Sequence, residues 1–198
     1  MHQFSVDRET GVATYLDAAQ ALVGVGGHFG SSDWRRPSAC TGWDAAALAG
    51  HVFCVVPWHH EWLDRAESGQ TSPPWPPDEL TVRNQAALDN LDIPDGPTRL
   101  GVFRSAARHY ADRLWGTWDL PFWYPGGLVT VGLHAVLAAG EWQLHAWDLG
   151  HAIGFEHQPD ATLIRDTWVG LGRQIEPDGD PWQALLRASG RPDRLMWT

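Results

Sequence analysis

Apolar positions recur at helical spacing along most of the chain. Val12, Tyr15, Leu16, Ala19, Leu22 and Val23 predict a first helix over Arg8 to Val23. It stops at the glycine-rich stretch Gly24 to Gly30. Ser31 to Cys40 reads as a loop, and Thr41, with Asp44 three residues on, reads as the cap of a second helix over Gly42 to Val56. Leu48, His51 and Val55 mark its inner face. Pro57 ends or kinks it, and helix resumes over Trp58 to Ser68. A proline-rich connection, Gly69 to Pro77, leads to a short helical piece over Asp78 to Asp89. Thr98 to Trp115 is the third long helix, with Leu100, Phe103, Ala107, Tyr110, Leu114 and Trp118 as its apolar stripe. An aromatic loop, TWDLPFWYPGG, precedes the fourth. Shorter helices are expected over Ala161 to Ile175 and Pro181 to Ala188. No segment alternates convincingly as a strand. The expected fold is therefore all-α: one domain over residues 1–198, an antiparallel four-helix bundle with short additional C-terminal helices.

The stretch from Gly132 to Gly154 breaks the usual pattern. On a helix His134, Ala138, Glu141, His145 and Asp148 form one narrow polar stripe, while Leu133, Val136, Leu137, Leu144 and Trp147 cover the rest. A surface helix would carry one apolar stripe on a polar rod. This inverse predicts a buried helix whose polar stripe faces partners inside the protein.

Glu141 and His145 lie one turn apart and could grip one ion; a buried Glu–His hydrogen bond without metal is the alternative. His51, mid-helix on an apolar face, is the natural third ligand, or else a satisfied core histidine. His51, Glu141 and His145 together would suit Zn²⁺ with an open position, and Ni²⁺ or Fe²⁺ would accept the same set. Cys54 reads as a small core residue rather than a ligand. His59 and His60 lie beyond Pro57 and are expected on a wet surface. His134 is expected in a buried hydrogen bond. Asp148, one turn after His145, is the candidate catalytic group, orienting that imidazole or meeting substrate.

Composition narrows the function. The net charge is -10 and all 14 basic residues are Arg. Without Lys, Schiff-base, pyridoxal-phosphate and P-loop chemistries are excluded. An acidic chain with scattered Arg is not expected to bind nucleic acid. Cys40 and Cys54 make no disulfide framework. The N-terminus has no secretory pattern and no apolar run spans a membrane, so a cytoplasmic protein is expected. HExxH and GxSxG are absent. A small-molecule substrate is expected; a homodimer is compatible with the sequence.

Two motifs and an ending resemble a known family. Pro37-Ser38-Ala39-Cys40-Thr41-Gly42-Trp43-Asp44, with Leu48 and His51, resembles the second-helix motif of the mycothiol-dependent maleylpyruvate isomerase-like proteins, in the DinB-like metalloprotein superfamily. Glu141 to Leu149, with Ala152 and Gly154, resembles the fourth-helix motif. Leu185-Leu186, Gly190-Arg191 and Trp197 are similar to the C-terminal signature. The resemblance implies a bundle holding a divalent ion, usually zinc, on His51, Glu141 and His145. It also implies an enzyme, an S-transferase or isomerase that activates the thiol mycothiol at the metal. A further C-terminal domain is expected in the isomerase, where this chain has only short helices after Gly154. The residues alone leave two other functions open. One is a thiol-independent metalloenzyme using metal-bound water, with Trp58, Trp118, Phe122, Trp123 and Tyr124 lining a pocket for an apolar or aromatic molecule. The other is a non-enzymatic metal-binding bundle. Arg104 or Arg108 could steady an anionic substrate.

Overall fold

A computed structural model describes residues 6–92, 95–124, 127–170 and 179–191. Four long helices form the antiparallel bundle: α1 (Arg8–Gly26), α2 (Ala45–Glu67), α4 (Gly96–Thr117) and α5 (Val131–His151). α1 packs on α4 and α5, and α2 packs on the same two, so the four close around one core. The short α3 (Leu80–Asp89) lies against α2. Beyond the bundle, α6 (Ala161–Gly170) and α7 (Pro181–Ala188) pack on each other, and α6 packs on α5. They enclose a second apolar cluster of Leu144, Trp147, Ile164, Trp182, Leu185 and Leu186. Residues 171–175, expected to belong to the helix that begins at Ala161, lie outside the described residues. Among the described residues no helix is long and apolar enough to cross a membrane.

Local chemistry sets the helix starts. Asp44, rather than Thr41, caps α2, its carboxylate accepting from the Ala47 N–H at 2.7 Å. Asp95 caps α4 at the Thr98 N–H, so that helix begins two residues before Thr98. Thr130 caps α5 at the Leu133 N–H. An aspartate one side chain away from an orphan N–H satisfies it better than a more distant threonine.

Of the two alternatives at Pro57, an end is excluded: α2 runs through it. One expectation is corrected here. The aromatic loop contains a hairpin, β1 (Pro121–Tyr124) paired antiparallel with β2 (Gly127–Thr130), Phe122 opposite Val129. Phe122 and Trp123 are both buried, so β1 is apolar on both faces and shows no alternation.

Trp118, where α4 ends, sets the spacing of α1 and α5. A Cβ on Gly11 would lie 2.1 Å from its ring, and one on Gly132 would lie 2.4 Å from it. Glycine at both positions lets the indole lie directly on two helix backbones.

Candidate metal centre and pocket

The polar stripe of α5 faces a cavity. His134, Ala138, Glu141 and His145 all line it, and α2 supplies His51, Val55, Trp58, His59 and Trp62 from the facing side. These α2 positions are spaced by three and four residues, one face of an uninterrupted helix. Tyr124 of the hairpin, Leu80 and Asn84 of α3 and Trp142 of α5 complete the wall. The cavity measures about 240 Å³.

His51, Glu141 and His145 thus share one pocket, as the stripe argument expected of neighbours. The His51 and His145 rings meet edge to face, 5.1 Å between centroids. His51 Nδ1 is buried with no hydrogen-bond partner. Burial, then the His145 ring, pull the His51 pKa down to about 3, so its imidazole is neutral and can donate a lone pair.

Asp148 is fully buried behind His145. Its Oδ2 lies 3.1 Å from His145 Nδ1, which leaves His145 Nε2 as the nitrogen available to the pocket. Arg191, just beyond α7, donates to both Asp148 oxygens, Nε to Oδ1 at 2.6 Å and Nη2 to Oδ2 at 2.5 Å. The Cys40 thiol donates to Asp148 Oδ2 at 3.2 Å. Burial would raise the Asp148 carboxyl, but the hydrogen bonds from Arg191 and His145 outweigh it and hold it at about 2. Burial, with the Asp148 charge beside it, pushes the Cys40 thiol up to about 12, so it stays protonated.

Among the described residues, one set of potential ligand atoms lies within 4.8 Å of one another: Cys40, His145 and Asp148. His51 and Glu141 are not in that set. Arg191 already occupies the Asp148 carboxylate, and its fixed positive charge opposes a cation there. The physical reading of that cluster is a hydrogen-bonded support behind His145, not an ion site.

Several expectations change. His59 is buried in the pocket wall, 4 % exposed, instead of on a wet surface. His60 is half-buried, bonded to the Ala106 carbonyl and to Arg113. His134 is in the buried hydrogen bond expected of it, Nδ1 meeting Tyr110 Oη at 2.9 Å, and it also lines the pocket. Of the aromatic residues expected around a substrate, Trp58 and Tyr124 line the cavity; Trp118, Phe122 and Trp123 are buried in the core beside it. Arg104 and Arg108 line a separate depression between α1 and α4, away from this pocket. Cys54 is buried, 8 % exposed, in keeping with the small core residue expected. Sequence reasoning missed the parts played by Arg191 and Cys40, although both stand inside quoted motifs.

Residues 15–150 match the family model described as the mycothiol maleylpyruvate isomerase N-terminal domain. The chain belongs to this family. Two solved structures share the fold of this mycothiol maleylpyruvate isomerase-family chain. The crystal structure of the mycothiol-dependent maleylpyruvate isomerase is 15% identical, with a TM-score of 0.73, covering 98% of this chain and 93% of that one. The crystal structure of a histidine-to-alanine mutant of the mycothiol-dependent maleylpyruvate isomerase is 14% identical, with a TM-score of 0.66, covering 88% and 76%. No curated protein matches the chain in sequence.

Proposed function

We propose that this protein is a divalent-metal-dependent enzyme that uses mycothiol as an external thiol, as an S-transferase or isomerase of a small electrophile. The observation that carries the reading is the convergence of His51, Glu141 and His145 on one cavity, with Asp148 fixed behind His145. The residues fit an ion. A neutral His51 with an orphaned buried nitrogen, a His145 whose outer nitrogen is already engaged, and a carboxylate make an N/N/O donor set of the kind Zn²⁺ accepts. Ni²⁺ or Fe²⁺ would accept it too. When bound, the ion supplies Lewis acidity that stabilises a deprotonated thiol or water near neutral pH.

The chain's own residues hold and orient. Asp148 accepts from His145 Nδ1, fixing ring and tautomer, and Arg191 fixes Asp148. No Ser, Cys or Lys lines the cavity among the described residues, which favours a nucleophile brought from outside. The family description and the two solved structures name mycothiol, and that supports this thiol. Its sulfur would form a bond to an electrophilic carbon of the substrate. Addition to an activated double bond, rotation and elimination return the thiol and give an isomer. Displacement expels a leaving group with its electron pair, releases the thiol proton to solvent and gives a thioether.

A second reading has one observation in its favour. The cavity wall is aromatic and carries no Arg among the described residues, which suits water-based chemistry on an apolar molecule without a thiol. A purely structural metal site is disfavoured by the open cavity beside the three residues. Titrating mycothiol into the cobalt-substituted protein separates the readings. A sulfur-to-cobalt charge-transfer band is expected at saturation. Its absence, with cobalt retained, would reject the thiol and leave the second reading.

A further inference from the structure

The two histidines that meet in the cavity are secured by different means. His145 is tied to Asp148 by a hydrogen bond, and Asp148 in turn to Arg191. His51 has no such tether. Its Nδ1 is buried without a hydrogen-bond partner, which leaves Nε2 as the nitrogen available to the cavity. Asn84 of α3 reaches the ring from the cavity side. With Nδ1 unpartnered, that contact is at Nε2, the nitrogen an ion would take, so it cannot hold the ring while an ion is bound. Ligating histidines normally donate their other N–H to a carboxylate, a carbonyl or water, and that bond fixes the ring. For His51 another contact has to do so.

The neighbouring indole is Trp43. Its ring centroid lies 4.9 Å from that of His51, with the planes inclined at 42°. Trp43 is not part of the cavity wall, so it bears on His51 from the protein side. Its own backbone is held both before and after the side chain. Cys40 to Trp43 is a tight turn, the Trp43 N–H donating to the Cys40 carbonyl at 3.0 Å. Gly42 stands in that turn with a φ of 85°, the left-handed conformation that glycine adopts without a Cβ clash. The Trp43 carbonyl accepts from the Ser38 N–H at 3.0 Å and from Ser38 Oγ at 2.9 Å. The next residue, Asp44, caps α2, the helix that carries His51. An indole has two side-chain torsions and a large flat face, so on a pinned backbone it offers the imidazole a fixed surface. The same loop also braces the other histidine. The Ala39 N–H donates to the Asp148 carbonyl at 3.2 Å, and the Cys40 thiol donates to Asp148 Oδ2.

We propose that Trp43 is a positioning residue for the ion site: its indole packs on the His51 imidazole and keeps Nε2 turned to the cavity, in place of the hydrogen-bonded partner that His145 has in Asp148. The proposal rests on the reading of His51, Glu141 and His145 as the ligands. Trp43 itself touches neither ion nor substrate. One loop, Ser38 to Trp43, then supports both histidines, one through a ring and the other through a carboxylate.

The test is the Zn²⁺ affinity of the purified protein, measured by competition with a chromophoric chelator. Trp43→Leu keeps an apolar side chain and removes the flat ring; it is expected to weaken binding about tenfold, the lower end for a residue that orients a ligand. Trp43→Phe restores a ring and is expected to stay within about threefold of wild type. In the cobalt-substituted protein the visible d–d bands are expected to shift in Trp43→Leu and to return in Trp43→Phe. Gly132→Ala, strained against Trp118 three turns before His145 on α5, is the control for lost stability and is expected to bind as wild type does. Binding by Trp43→Leu within about twofold of wild type, an equal loss in Gly132→Ala, or no recovery in Trp43→Phe would overturn the proposal. If Trp43→Leu does not fold, Trp43→Met against Trp43→Phe makes the same comparison. His51→Ala separates this proposal from the reading beneath it. Wild-type affinity in His51→Ala overturns the ligand assignment and the proposal with it. Lost binding in His51→Ala with full binding in Trp43→Leu overturns the proposal alone.

Discussion

Replacing Arg191 with Ala removes the guanidinium from a carboxylate that has almost no access to water. The Asp148 side chain is 1% exposed and that of Arg191 17%. Breaking a buried ion pair by deleting one partner costs about 3–5 kcal/mol, because the remaining charge stays buried. Asp148 keeps His145 and the Cys40 thiol as partners, and Arg191 is partly exposed, so the lower end applies: about 3 kcal/mol. For a chain of this size that corresponds to a fall in Tm of about 6–12 °C. Urea denaturation at pH 7 on wild type, Arg191→Ala, Asp148→Asn and the double variant measures both the loss and the coupling. A coupling of about 2 kcal/mol is expected between the two sites. A loss under about 1 kcal/mol, or the same loss in the Asp148→Asn background, would refute the claim that Arg191 acts through Asp148.

Gly132→Ala would place a Cβ 2.4 Å from the Trp118 ring and is expected to cost about 1–3 kcal/mol of overpacking, read by the same urea curves; an unchanged midpoint would contradict the close packing. Acid should weaken the fold before any carboxylate titrates. Burial lowers the His134 and His157 pKa values from 6.5 to about 3 and about 4. Between those values and 6.5 the unfolded chain binds protons that the native chain does not. Stability is therefore full above about pH 7 and falls below 6.5, by up to about 1.4 kcal/mol per pH unit for each histidine. Equal urea midpoints at pH 7 and pH 5 would contradict this.

The bundle was legible because its signals are local and redundant. The stripe from Leu100 to Trp118 and the inverted stripe of α5 each repeat over five or six turns or positions, and α5 does face its polar side into a cavity. The hairpin was not legible, because in a four-residue strand whose two central residues, Phe122 and Trp123, are both buried there is no alternation to read. His59 was misplaced by one assumption. Taking Pro57 as a break loses the phase of the helix, and only an uninterrupted α2 carries His51, Val55, Trp58 and Trp62 on one face and brings His59 beside them. Arg191 could not be placed, since its partner is 43 residues away and the link runs through the packing of α6 and α7. The Gly190-Arg191 pair was the available hint.

Metal analysis of the purified protein and three single variants tests the central claim most directly. Wild type is expected to carry one divalent ion per chain. His51→Ala, Glu141→Ala and His145→Ala are each expected to lose it while far-UV circular dichroism stays helical. Full occupancy in any of the three, or a folded wild type that binds no divalent ion when supplied with Zn²⁺, Ni²⁺ or Fe²⁺, would contradict the account.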